Sequence, residues 1–125
     1  MLLNNFFKII KSEKTDNKII SEIEISANHT IFTGHFPGNP ITPGVVQIQI
    51  VKEILENIYQ KELRLLTMPR CNFLKIWNPS DTPRIIIEIS FSENPLHVSA
   101  VGLNNSDTYF KLSAVFSSEP VLKSY

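Results

Sequence analysis

The spacing of hydrophobic and polar positions divides the chain into strand-like segments and one helix-like segment. Between Ser21 and Ser26 apolar residues alternate with polar ones, as in a strand with one buried face. A short apolar run at Phe6–Ser12 precedes this segment, and the letters KTDNK between them indicate a turn. The two segments are therefore predicted to pair as a β-hairpin.

From Val45 to Tyr59 the apolar residues follow the spacing of an α-helix. They cover well over half of the circumference near the N-terminal end, so this helix is predicted to be mostly buried. The polar positions fall on one stripe, and such stripes usually face solvent. The stripe consists of Gln49, Lys52, Glu53, Glu56 and Gln60.

The rest of the chain is rich in strand-like runs. Five of them can be distinguished: ELRLLTM, RCNFLKIW, RIIIEISFS, LHVSAVGL and TYFKLSAVF. Turn residues in NPSDTP, SENP and LNNSD separate several of these runs. With the hairpin, this predicts six or seven strands and one principal helix, which is an α+β fold with the helix on one face of a sheet. The remaining face and the edges then favour a dimer.

Composition is that of one globular domain, predicted to span residues 1–125. The chain is 42% hydrophobic and 19% charged, with 12 basic and 12 acidic residues. This balance gives no electrostatic indication of nucleic-acid or membrane binding. Cys71 is the single cysteine, which excludes an intramolecular disulfide.

Targeting signals are not evident in the sequence. The first residues, MLLNNFFKIIKSEK, lack the features of a signal peptide. No apolar run approaches the roughly 20 residues of a membrane span. We therefore expect a cytoplasmic protein that does not insert into a membrane.

The segment between the hairpin and the helix combines rigid and flexible residues around one histidine. Its sequence is HFPGNPITPG, from His35 to Gly44. The three prolines fix φ and push the preceding residues towards extended conformations. Gly44, at the opening of the helix, permits a close approach that a Cβ would block.

This segment, extended to HFPGNPITPGVVQIQ, resembles the active-site segment of the hotdog-fold 3-hydroxyacyl-acyl-carrier-protein dehydratases. That family carries HFPG-x-P-x-x-PG, an aliphatic run and a carboxylate fourteen residues after the histidine. The matching positions are His35, Phe36, Pro37, Gly38, Pro40, Pro43 and Gly44. The resemblance implies a hotdog fold, in which an antiparallel β-sheet wraps around one long central helix.

The resemblance also implies roles for individual residues. His35 would be the general base that takes the C2 proton of a 3-hydroxyacyl thioester, a task suited to imidazole. The Gly44 N–H would bind the thioester carbonyl, and Phe36, Pro43 and Val45 would contact substrate. The acyl chain would be carried on the phosphopantetheine of acyl carrier protein or coenzyme A, without a metal or redox cofactor.

One position departs from the family pattern. Gln49 stands fourteen residues after His35, where the family has the Glu or Asp that protonates the leaving hydroxyl. An amide cannot supply that proton at neutral pH. Glu53 lies one helical turn later, so one hypothesis gives it the acid role, directly or through water. The alternative is that Glu53 belongs to the solvent-facing stripe.

Two classes of function remain open at this point. The first is a 3-hydroxyacyl-thioester hydro-lyase, with a hotdog thioesterase as a weaker variant. The second is a catalytically impaired partner subunit of a hotdog heterodimer, or an acyl-thioester-binding module. In either class a homodimer or heterodimer is expected, because the site of related dimers lies at their interface.

The other histidines and the large aromatic residues are expected to be structural. His29 and His97 lack ligand partners at metal-binding spacing. We predict that Phe73, Trp77 and Tyr109 lie in the hydrophobic core, the alternative being that they line an acyl tunnel.

Overall fold

A computed structural model describes residues 1–29 and 40–118 of the chain, which form six strands and one helix. The elements are β1 (Phe7–Lys14), β2 (Lys18–Ile25), α1 (Gly44–Tyr59), β3 (Arg64–Phe73), β4 (Arg84–Ser92), β5 (Leu96–Asn104) and β6 (Asp107–Ser117). The predicted helix is thus confirmed to within one residue at its start.

All six strands belong to one antiparallel sheet, whose order is β1-β2-β4-β5-β6-β3. The predicted hairpin is confirmed, because β1 pairs with β2 from Phe7–Ile25 to Lys14–Ile19. Strands β4, β5 and β6 form a meander, and β3 joins the far side of β6. In the described part of the chain β1 and β3 are therefore the two edges.

The core lies between the helix and one face of the sheet. Strands β2 and β4 alternate buried and accessible residues, as strands with one covered face do. The buried isoleucines of both strands join the apolar side of α1 and the side chain of Trp77 in a single cluster. Burying each large apolar side chain stabilises the fold by about 1.5–3 kcal/mol. The helix ends at Tyr59, and its C-cap residue Gln60 has a left-handed φ of 54°.

Strand β3 corrects the prediction of two separate runs. ELRLLTM and RCNFLKIW largely belong to one strand, which continues through Pro69 and ends at Phe73. Proline lacks the N–H of a strand ladder and is tolerated at an edge. The pairing with β6 is irregular between Thr67 and Arg70, where this proline lies. A residue that normally interrupts a strand is thus accommodated because β3 has a neighbour on one side.

The aromatic residues divide between core and surface. Trp77 and Tyr109 are buried, as predicted, with ring centroids 6.0 Å apart. The prediction for Phe73 was wrong, because this side chain is 48% exposed at the end of β3. Its ring lies against the start of α1 instead of entering the core.

Candidate active site at the helix start

The approach to α1 is held in an extended conformation. Pro43 is the N-cap, with φ −62° and ψ 149°, and it provides no side-chain cap. The N–H of Thr42 donates to the carbonyl of Trp77 at 2.9 Å, and the Gln47 amide donates to the carbonyl of Thr42 at 3.0 Å. These two hydrogen bonds hold the segment that leads into the helix, one through the N–H of Thr42 and the other through its carbonyl.

Only some of the first backbone N–H groups of α1 donate a hydrogen bond. Those of Val46 and Gln47 donate to the carbonyl of Pro43, at 3.1 and 3.2 Å. Within residues 1–29 and 40–118, the N–H groups of Gly44 and Val45 have no hydrogen-bond acceptor. The first turn carries no acidic side chain, so the partial positive charge of the helix end is not neutralised there.

Gly44 is required by a close approach as well as by its position. A Cβ built on Gly44 would lie 2.6 Å from two carbons of the Phe73 ring. Any larger residue would push the ring away from the helix start. Since Phe73 is half-exposed, the ring can move, and the approach is a soft constraint.

An exposed apolar rim surrounds this end of the helix. Val45 is 73% exposed and Ile76 is 69% exposed, and Phe73 and Leu74 lie beside them. A cavity of about 300 Å³ opens here. It is lined by Ile41, Thr42, Gly44, Gln47, Phe73, Leu74, Lys75, Ile76 and Trp77. Free N–H donors beside an apolar rim suit a ligand with one polar group and a hydrocarbon chain.

Gln49 and Glu53 lie farther along the helix and contact each other. The Gln49 Nε2 donates to Glu53 Oε2 at 2.8 Å. The carboxylate also accepts from the backbone N–H of Leu2, at 2.8 and 3.0 Å to its two oxygens, and from that of Leu3 at 2.8 Å. Glu53 is 0% exposed, so its alternative assignment to a solvent-facing stripe was wrong.

The environment of Glu53 favours its charged form. Burial alone would raise the pKa of the carboxyl, because it removes water from the charge. The N–H of Leu2, the amide of Gln49 and the N–H of Leu3 outweigh burial, and the pKa is held below its usual value. Glu53 is thus an anion at neutral pH, which is the wrong protonation state for an acid.

The structure brings some of the predicted site residues together. Pro43, Gly44 and Val45 surround the helix start, whereas Gln49 and Glu53 lie one and two turns along. His35 and Phe36 lie outside the described residues. The contacts of Leu2 and Leu3 with Glu53 were missed, and no signal could have revealed them, since 50 or more residues separate the partners.

Metal and membrane features were also sought in the described residues. No group of three or more His, Cys, Asp or Glu side chains there could hold a metal ion. Within residues 1–29 and 40–118, α1 is neither long nor apolar enough to be a membrane span.

Comparison with known proteins identifies the class. The family model ApeI-like, described as ApeI dehydratase, matches residues 11–110. This match covers most of the chain and most of its strands. The protein therefore belongs to the ApeI-like family of hotdog dehydratases.

Curated relatives agree with this class. The chain is 35% identical over 78 residues to the 3-hydroxyacyl-[acyl-carrier-protein] dehydratase FabZ of Rickettsia rickettsii (strain Sheila Smith), covering 55% of this chain and 54% of that protein. It is also 35% identical over 83 residues to the bifunctional enzyme LpxC/FabZ of Chlorobaculum tepidum, covering 60% of this chain and 17% of that protein. The chain thus spans about half the length, or less, of these relatives.

Solved structures support the fold. The dehydratase heterocomplex ApeI:P from Xenorhabdus doucetiae matches with a TM-score of 0.68 at 18% identity, over 86% of this chain and 95% of that one. An uncharacterized protein from Erwinia carotovora subsp. atroseptica matches with a TM-score of 0.64 at 18% identity, over 88% and 92%. The predicted α+β hotdog fold is confirmed.

Proposed function

We propose that the protein is a hydro-lyase for 3-hydroxyacyl thioesters carried on the phosphopantetheine of acyl carrier protein or coenzyme A. The observation that carries this proposal is the helix start, where Gly44 and Val45 offer two N–H donors beside an apolar rim. This helix start directly follows the segment that contains His35. Membership of a dehydratase family supports the same chemistry.

The first step of the proposed reaction is proton removal from C2. The neutral imidazole of His35 takes this proton, and negative charge develops on the thioester oxygen. Backbone N–H donors at a helix N-terminus stabilise such a charge, since their dipoles already point outward before the reaction begins. An acyl chain that covers the apolar rim excludes water from the helix start and strengthens this electrostatic effect. No metal or redox cofactor takes part in the proposed reaction.

The second step needs a proton for the leaving hydroxyl. We propose that the imidazolium of His35 returns the proton it took from C2, so that the C3–O bond breaks, water leaves and a C2=C3 double bond remains. Gln49 would orient the hydroxyl by a hydrogen bond. The hypothesis that Glu53 is the acid stays untested, but the hydrogen bonds that it accepts from three donors and its lowered pKa argue for another role.

The proposed partners are a carrier-bound thioester and a second hotdog subunit. Strand β3 has a neighbour on one side and exposes Leu65 and Leu66, at 40% and 47%. We propose that a second copy or a related subunit pairs with this edge and completes the site. Location in the cytoplasm, where carrier proteins would be met, stays a prediction.

The test is dehydration of a 3-hydroxyacyl-pantetheine and hydration of its enoyl product, followed by absorbance. His35→Ala should lower the rate by about 100-fold or more, as expected for loss of a general base. His97→Ala is the matched control, since His97 is exposed on β5, and its rate should equal that of the parent. Equal rates for the parent and His35→Ala would contradict the proposal.

A second candidate function follows from Gln49. An amide at the position of the family's acid favours a catalytically impaired subunit that binds acyl thioesters for a competent partner. In that case the parent would be inactive alone and Gln49→Glu would introduce activity. If the parent alone is active, Gln49→Glu is not required for activity, and this second candidate function is contradicted.

A further inference from the structure

The carboxylate of Glu53 is fixed on both sides. On one side it accepts from the N–H groups of Leu2 and Leu3, which belong to the turn before β1. On the other it accepts from the side-chain amide of Gln49. Glu53 is 0% exposed, and three donors hold its two carboxylate oxygens in place. It is a rigid acceptor built into the helix.

This acceptor decides which way the amide of Gln49 points. A glutamine side chain has a donor end and an acceptor end, and its orientation follows from its hydrogen-bond partners. An ionised carboxylate can only accept, so Gln49 must turn its NH₂ group towards Glu53. The oxygen of Gln49 is then forced to the opposite side.

The oxygen of Gln49 is available for a ligand. Among the described residues it has no hydrogen-bond donor. Gln49 is only partly buried and lies on the wall of a cavity of about 600 Å³. Farther along than the cavity at its start, the helix therefore presents a hydrogen-bond acceptor to this second cavity, although an amide could present either end.

We propose that Glu53 is a positioning residue that sets the hydrogen-bond polarity of Gln49 and so makes the site selective for 3-hydroxyacyl over 3-oxoacyl thioesters. The inference rests on the proposed function. A 3-hydroxyl group can donate to the Gln49 oxygen, whereas a 3-oxo group can only accept and meets a second acceptor. A polar group left unpaired in this way weakens binding by about 10- to 100-fold.

Replacing Glu53 by glutamine should reverse this polarity. The introduced amide can still accept from Leu2 and Leu3 through its oxygen, which leaves its NH₂ group facing Gln49. Gln49 must then turn its own oxygen inward and its NH₂ group towards the ligand. The substitution changes few atoms and little volume, so it alters polarity more than packing.

The experiment measures binding of 3-hydroxyoctanoyl-pantetheine and 3-oxooctanoyl-pantetheine by calorimetry, in a His35→Ala background that prevents turnover. We expect a preference of about 10-fold or more for the hydroxy ligand, falling to unity or below with Glu53→Gln. Glu56→Gln is the matched control. Glu56 also accepts a backbone N–H, from Leu63 at 2.8 Å, but has no bond to Gln49.

A reciprocal exchange separates polarity from structural damage. Gln49→Glu combined with Glu53→Gln places an acceptor at position 49 again, held by an amide at position 53. The preference for the hydroxy ligand should return, even if the melting temperature does not. Loss of the preference in Glu56→Gln, or its persistence in a folded Glu53→Gln variant, would overturn the positioning role.

A substrate-free measurement distinguishes this inference from the proposed function. The side-chain NH₂ of Gln49 should give two resolved ¹⁵N–¹H signals, one of them shielded from exchange by its bond to Glu53. Glu53→Gln should remove that protection. Equal exchange of both protons in the parent would overturn the positioning role, whereas failure of both thioesters to bind would overturn the proposed function and the ligand selectivity together.

Discussion

The two edges of the sheet differ in how they are protected from further pairing. Strand β1 carries three lysines and Glu13 in eight residues, and its pairing with β2 is irregular between Ile9 and Lys11. Charges and bulges of this kind discourage another strand from adding to an edge. Strand β3 is longer, at ten residues, and its pairing with β6 is also irregular, but it exposes the large apolar side chains of Leu65, Leu66 and Phe73. With two charges in ten residues, against four in eight for β1, β3 stays the edge at which a second subunit is proposed to pair.

Both edge strands are mostly exposed, but β3 exposes more large apolar side chains than β1. In β3 every residue of the sequence RLLTMPRCNF is exposed or only partly buried. A stretch with two leucines, a methionine and a phenylalanine would ordinarily find a place in a core. Their exposure in one chain is accounted for if a second subunit covers them.

The largest effect is expected on subunit assembly, when a lysine is introduced on each edge strand in turn. Leu66→Lys should weaken assembly by about 100-fold, roughly 2.8 kcal/mol, because it buries a charge at the proposed interface. Ile10→Lys, on β1, is the matched control, since Ile10 is 39% exposed and Leu66 is 47% exposed. Analytical ultracentrifugation of both variants gives the dissociation constants. Equal behaviour of the two would remove the proposed distinction between the edges.

A smaller effect is expected on the free energy of unfolding, when the hydrogen bonds between the turn before β1 and the helix are weakened. Glu53→Gln should lower the free energy of unfolding by about 1–3 kcal/mol at pH 7, since charged hydrogen bonds are replaced by neutral ones. Urea unfolding at several pH values measures this difference. A loss of the same size at all pH values would show that the charge of Glu53 does not matter.

The sign of the pH dependence follows from the lowered pKa of Glu53. A group whose folded pKa lies below its unfolded value of 4.5 stabilises the fold above that value. This stabilisation is lost as the pH falls through the folded pKa. The gap between parent and Glu53→Gln should therefore be widest near neutrality and shrink below pH 4.5.

The smallest effect is expected from the ion pairs beside β1. Glu24 accepts from Arg84 Nε at 2.6 Å and lies 3.3 Å from Lys8 Nζ. The hydrogen bond from Arg84, followed by that from Lys8, lowers the pKa of Glu24. Glu24→Gln should reduce the melting temperature by about 1–2 °C at low salt and by nothing measurable at about 0.5 M salt. A change that survives high salt would indicate a role beyond surface charge.

Much of the fold could be predicted from local patterns. The alternation in β2 and the helical spacing of α1 reflect which side chains face the core, and both were confirmed at nearly the right bounds. The continuity of β3 could not be predicted. Whether Pro69 breaks a strand depends on whether that strand is an edge, which is a property of the whole sheet.

The candidate site was less accessible to sequence reasoning. The roles suggested for Gly44 and Val45 follow from a local motif and stay predictions; the two residues are the first of α1. The environment of Glu53 depends on Leu2 and Leu3, which join it through tertiary packing alone. The helical spacing predicted which residues of α1 lie next to Glu53. It could not predict that the turn before β1 covers this side chain.

The contact between Phe73 and Gly44 links the edge of the sheet to the cavity at the helix start. Phe73 is the last residue of β3, the edge proposed to receive a partner, and its ring lies on the first residue of the helix. Pairing at the edge would therefore fix the ring, and with it the shape of the cavity at the helix start. The proposed hydro-lyase activity per subunit should then depend on protein concentration, falling when dilution separates the subunits and recovering when they are concentrated again.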